Sequence, residues 1–278
     1  VNNDLIICMG ASTWIKRRSF SGSLTTSGTV YAHSIAIVDN RIWKVRNSNA
    51  TVNDVLSSIL DLESTDASRL MTLSNWVTTT PAYVVGDNTY QCVMLYDNGG
   101  ALMGGRADGL YAPDPEFKFR NITPQIKRAP DASGATGVGG WAAFGYFFVP
   151  YHRGVLRLSP GFAGDVGPGT LFLPKAGLRV RGGFEWDRMM YVLMTDERTN
   201  DTFIMKMIPD RSGDSEASYI FVPWAWVDSD STHYGRAIGI FTSPTTPTRV
   251  FGGGTAATDA RYVKLGRGTG RDIDDSGY

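Results

Sequence analysis

Serine hydrolysis, metal binding and paired-carboxylate catalysis each need particular side chains at particular spacings, and this 278-residue chain offers few of them. An activated serine is held on a sharp strand-to-helix turn, yet no Gly-x-Ser-x-Gly phrase occurs. Zinc needs at least two close ligands. His33, His152 and His233 lie far apart, and neither His-x-x-x-His nor Cys-x-x-Cys spacing is present. The sequence predicts His33 on a strand, His152 in a turn beside Tyr151 and Arg153, and His233 in the polar loop DSDSTHYG. Glycoside hydrolysis uses two carboxylates flanking one bond, for which Asp108, Glu185 and Asp187 are the candidates. Asp108 precedes Gly109-Leu110-Tyr111 and reads more simply as a side chain bonding its own turn backbone. Carboxylates also gather in Asp196 to Asp201 and at Asp272, Asp274 and Asp275, where calcium could fix a loop. Neither run has EF-hand spacing, so both read as solvated turns.

No catalytic, metal or cofactor residue is therefore assigned. Aromatics beside polar turns offer a different chemistry, since they stack on sugar rings or dock against a neighbouring subunit. Tyr151, Trp224 and Trp226 are the candidate surface contacts, with packing between strands as the simpler role.

The elements that must position these residues are almost all strands. Short β-type runs alternate with Gly, Asn, Asp and Pro, and a strand-turn-strand phrase recurs about six times, in HSIAIVDNRIWKVRN, QCVMLYDNGGALMGGRADGLYAP, GWAAFGYFFVPYHRGVLRLSP and others. Asp39-Asn40, Asn98-Gly99-Gly100 and Asn200-Asp201 tolerate the positive φ that two-strand hairpins demand. Repeat starts lie roughly 30 to 60 residues apart, the length of four-stranded propeller blades with insertions. The expectation is an all-β chain, a β-propeller of about six to seven antiparallel blades over residues 1–265, closed by pairing its first and last strands. Residues 266–278 read as an exit segment toward a further domain. The Ser-x-Asp-x-Gly-x-x-Trp turn of sialidase-type propellers is absent. One segment fits a helix: Val52, Val55, Leu56, Ile59 and Leu60 recur at helical spacing. Seven tryptophans spread across the units read as packing between blades.

Composition narrows the partners. Lysine and arginine number 27 and so do the acidic residues, so no net field favours nucleic acid or an anionic membrane. Lys16-Arg17-Arg18, Lys127-Arg128 and Arg179-x-Arg181 read as charges protecting blade edges. Apolar runs such as YFFVP are too short to cross a bilayer as a helix. Cys8 and Cys92, each in an apolar strand-like run, read as small buried hydrophobes rather than a disulfide. The chain opens on VNNDLIICMG without an initiator Met and ends on DIDDSGY, which reads as a piece of a longer polypeptide.

Several phrases, in order, resemble a propeller-bearing family of bacteriophage tail and virion structural proteins. They are Val85-Gly86-Asp87 followed by LMGGRADGLYAPD, then Pro150-x-x-x-Gly154-Val155-x-Arg157, Val166-Gly167-Pro168, FVPWAWVD and YVKLGRGTGRDIDDSGY. In FVPWAWVD, Pro223 precedes Trp224 rather than following it. The resemblance spans roughly residues 30 to 278. It implies a non-enzymatic structural or host-contacting component of a phage tail, baseplate or fibre, forming a symmetric homo-oligomer with other virion subunits as partners. A carbohydrate-binding receptor module and a propeller hydrolase acting on polysaccharide are the alternatives.

Overall fold

The computed structural model describes residues 4–8, 10–19, 21–45, 54–57, 67–76, 83–87, 89–116, 118–123, 139–151, 154–159, 162–167, 178–186, 188–196, 198–199, 201–210, 219–228, 237–241, 249–253, 260–265 and 273–274. Among them, strands form six antiparallel sheets, each drawn from one continuous stretch of chain with its strands side by side in sequence order. The first holds β1 (Leu5–Ile7), β2 (Gly10–Arg18) and β3 (Leu24–Ala32). The second holds β4 (Ile35–Val38), β5 (Arg41–Val45), β6 (Asp54–Ser57) and β7 (Tyr83–Val84). The third holds β8 (Cys92–Asn98), β9 (Ala101–Arg106), β10 (Gly109–Pro113) and β11 (Phe119–Asn121). The fourth comprises β12 (Trp141–Ala143), β13 (Tyr146–Tyr151), β14 (Gly154–Ser159) and β15 (Phe162–Asp165). The fifth comprises β16 (Leu178–Trp186), β17 (Met189–Asp196), β18 (Asp201–Pro209) and β19 (Tyr219–Asp228), and the sixth β20 (Ala237–Phe241), β21 (Arg249–Gly253), β22 (Ala260–Leu265) and β23 (Ile273–Asp274).

Turn chemistry sets these ladders. Asp39 and Asn40 adopt φ of 51° and 57°, the left-handed pair that closes Val38 onto Arg41. Gly99 and Gly100, at 65° and 90°, do the same between Asn98 and Ala101, and the Asp97 carboxylate accepts the Gly100 amide at 2.6 Å.

The chain divides into two compact units, Val1–Gly137 and Val138–Tyr278. In the first, Ile15, Val30 and Ala32 share a cluster with Ile42, Leu70 and Trp76, while Ala36, Val38 and Val45 share another with Cys92, Leu95, Leu102, Tyr111 and Phe119. Successive sheets thus pack through common apolar cores. In the second unit, Trp141, Phe148 and Val155 of the fourth sheet meet Val180, Met190, Val192, Met194, Met205 and Met207 of the fifth. Tyr191 and Leu193 face the other way, with Phe184 and Ile204. Strand β17 is therefore buried on both faces, which is why MMYVLM reads as one apolar run instead of an alternation. Each such side chain, fully buried, contributes roughly 1.5–3 kcal/mol relative to exposure.

Three expectations are corrected. Val55 and Leu56 lie on a strand, not a helix: β6 pairs Val55 with Val45 and Leu56 with Lys44, and ladder pairing overrides the local period. Val52, Ile59 and Leu60 lie outside the described residues. Among the described residues β1 pairs with β2 and β23 with β22. Lys16 to Arg18 sit on β2, a strand flanked on both sides, where Arg17 is ion-paired to Asp4 at 2.6 Å; they protect no edge. His33 falls in the bend between β3 and β4, not within a strand. Arg179 and Arg181 do lie on a strand ending its sheet, β16, whereas Lys127 and Arg128 lie outside the described residues. The two cysteines are free thiols, Cys92 buried and Cys8 half-buried.

Candidate functional site

The fifth sheet carries a groove of about 480 Å³ lined by Leu178, Asp196, Asp201, Phe203, Met205, Pro223, Trp224, Ala225 and Trp226. Its geometry follows from one irregular strand. Along β18, Phe203, Met205 and Met207 point to one face and Ile204 and Lys206 to the other, the ordinary alternation of a strand. Opposite them β19 slips: Ile204 pairs with Ala225 but Met205 with Pro223, so Trp224 is the extra residue of a bulge. Proline has no N–H to give a ladder, and β19 ends its sheet, where that loss is tolerated.

The bulge separates the two tryptophans. Trp224 packs on Tyr191, ring centroids 4.7 Å apart, and the Lys206 ammonium lies 5.6 Å from its centroid. Trp226, paired in register with Phe203, stacks on it at 6.3 Å and 24°. Trp224 is half-buried, while Trp226 leaves 54% of its surface exposed.

The end of the groove is the β17–β18 hairpin, where Asp196 and Asp201 face each other in register. Asp196 is buried and holds Arg198 through Nη2 at 3.1 Å and Nε at 3.3 Å, besides accepting the Arg198 amide. That pairing raises the Arg198 pKa further, chiefly through the hydrogen bond to Asp196. Asp201 accepts the Thr199 hydroxyl at 2.6 Å. A flat aromatic wall beside hydrogen-bonding oxygens can hold a ligand with one apolar face and one polar edge.

Of the three aromatics expected to make surface contacts, Trp224 and Trp226 both line the groove, on either side of the bulge, and the third does not. Tyr151 is only 2% exposed and belongs to the interior of the fourth sheet, so its reading as a surface contact is corrected. The carboxylate candidates do not converge. Glu185 accepts the Phe144 amide at 3.2 Å, and Asp187 lies outside the described residues, as do His152, His233, Asp272 and Asp275. Among the described residues no three potential metal ligands cluster.

Asp108 belongs to a second polar cluster, and not by bonding its own turn as expected. Its carboxylate takes Arg106 Nε at 3.0 Å and the Tyr111 hydroxyl at 2.7 Å. Arg106, 1% exposed, also donates to the Val85 and Asp87 carbonyls and to the Asp87 carboxylate, at 2.8, 3.0 and 2.8 Å. Its guanidinium lies 4.8 Å from the Tyr111 ring centroid. The hydrogen bond from Arg106 holds the Asp87 carboxyl down to about 2. Burial and the bond to Asp108 push the Tyr111 hydroxyl upward. Gly86 approaches so closely, at φ +69°, that a Cβ there would lie 1.7 Å from Arg106 Nη1. This constellation ties a loop to a sheet; its charges are spent on each other. The phrase Val166-Gly167 works similarly: Val155 N donates to Gly167 O at 2.7 Å and Val166 N to Val155 O at 2.9 Å.

Sequence reasoning missed Phe203 and the Asp196–Asp201 pairing. The signal available was the odd spacing of Pro223, Trp224 and Trp226, which implies a bulge, but its partner strand is set only by the ladder.

No protein-family model matches the chain, and no curated protein is similar to it. Several solved structures are similar, among them these two. One is AztD of Citrobacter koseri, at 10% identity and a TM-score of 0.45, covering 90% of this chain; the chain spans 64% of that protein's length. The other is an exo-1,5-alpha-L-arabinanase from a bovine ruminal metagenomic library, at 12% identity and a TM-score of 0.34, covering 84% of this chain and 92% of that one.

Proposed function

We propose that this chain is a non-catalytic module of a bacteriophage virion, a β-propeller of six blades that meets a host or subunit surface through edge-borne aromatics. The observation that carries the contact role is Trp226, more than half exposed and set in a groove rather than on a convex surface. Large aromatics left in a concavity are a feature of contact sites. Six consecutive meanders support the propeller, whose blades are such meanders; the first three share apolar cores in succession, and the fourth shares one with the fifth. The ordered phrases from Val85 onward support the virion, with other virion subunits and further copies of the chain as partners. Against catalysis stand the commitments of the carboxylates: Asp108 and Asp87 to Arg106, and Asp196 to Arg198.

Two measurements test this. Antibody raised against the chain should decorate the tails of particles purified from cells producing this sequence; label confined to the soluble fraction would sink the virion reading. Single-particle images of the chain should show a disc of six blades, and two separate lobes would sink the propeller.

A further inference from the structure

The groove on the fifth sheet has a chemistry narrower than surface contact in general. Resting on the contact role above, we infer that it is a saccharide subsite, taking a neutral pyranose unit of a surface polysaccharide with Trp226 as the stacking platform.

A pyranose presents a flat face of C–H groups and a rim of hydroxyls. It needs one planar aromatic wall and acceptors set to the side. Phe203 and Trp226, 24° from parallel, make such a wall, and the stack beneath stiffens the indole. Met205, fully buried, and Leu178, nearly so, form an apolar floor. At the end of the wall stands the carboxylate of Asp201, fixed by Thr199, beside the buried Asp196, which is held by Arg198. Oxygens held in place beforehand accept hydroxyl hydrogen bonds without a further ordering cost. The volume, about 480 Å³, sits within the roughly 300–1,000 Å³ of small-ligand clefts and accommodates a short saccharide.

A lysine or arginine side chain is the competing occupant, because aromatic rings and carboxylates also attract cations. The arrangement disfavours it. Trp224 already has the Lys206 ammonium near its ring, and Asp196 already has Arg198. What the groove offers is a wall and acceptors, not a cage.

The test uses the whole chain and a panel of neutral and N-acetylated pyranose oligosaccharides, with tetralysine alongside, followed by titration calorimetry. At least one oligosaccharide should bind while tetralysine does not. Trp226→Ala should weaken that binding roughly tenfold or more, Trp226→Phe should restore most of it, and Asp201→Asn should weaken it several-fold, as expected for lost stacking and a weakened acceptor. Trp14→Ala, a partly exposed tryptophan on the first sheet, should leave it unchanged. Thermal melts of each variant separate lost binding from lost fold. No binding by any oligosaccharide, binding of tetralysine instead, or a folded Trp226→Ala that binds like the parent would overturn the subsite. Antibody-labelled tails with no saccharide binding would overturn it while leaving the contact role standing.

Discussion

Arg106 shows how much a single buried cation can organise. Its guanidinium fork reaches two backbone carbonyls and two carboxylates, and no ammonium has the geometry to span them. Replacing it with methionine leaves the Val85 carbonyl buried without its donor, and should destabilise the chain by roughly 1–3 kcal/mol in urea unfolding. Arg106→Lys should recover only a minority of that loss. Acid should expose the same cluster. The Asp87 carboxyl is depressed from 3.8 to about 2 in the fold, so the stability it contributes is present above its unfolded value. That stability is lost as pH falls through about 2. Melting temperature measured from pH 5 to pH 2 should drop more steeply in the parent than in Asp87→Asn, and parallel curves would rule out the linkage. The Val85-Gly86-Asp87 phrase was visible in the sequence only as part of a resemblance. Its physical reason, a glycine pressed against a guanidinium, depends on Arg106 arriving from 20 residues away, which no local pattern announces.

Strand β17 is deeply enclosed, with Met190, Val192, Leu193 and Met194 all fully buried. Its amides should exchange slowest of the fifth sheet, and those of β19, which ends that sheet, fastest; mass-resolved hydrogen exchange would reveal the reverse order if the edge were covered. Leu193→Ala should cost about 2–5 kcal/mol, the range for a leucine truncated in a core that cannot collapse. At this scale the sequence was most informative where turns were explicit. Asp39-Asn40 and Gly99-Gly100 fall where two-residue hairpins were expected, with the positive φ that their residue types allow. It misled at Val55 and Leu56, because four residues satisfy a helical period and a strand equally well, and the choice was made by Val45 and Lys44 across the ladder. Trp226 was legible as a candidate from its neighbours' polarity, whereas Tyr151, in a similar setting, is only 2% exposed, a burial that local sequence does not announce.

Across the whole molecule, an all-β chain of successive antiparallel meanders was readable from the recurrence of strand, turn, strand. Burial pushes the Cys8 thiol up to about 11 and Cys92 up to about 12, so both are poor nucleophiles in the native state. Titration with a chromogenic disulfide at pH 8 should therefore be slow in buffer, with Cys92 slower, and should become fast for both thiols in denaturant. Rapid reaction of Cys92 without denaturant would mean that the third sheet opens readily. The contiguity of each sheet reaches beyond stability. Because no ladder among the described residues borrows a strand from elsewhere in the chain, a genetic crossover falling between two sheets would exchange whole units without cutting a ladder. A lineage could then trade the fifth sheet as a cassette wherever the incoming sheet keeps an apolar face to pack on Trp141, Phe148 and Val155 of the fourth.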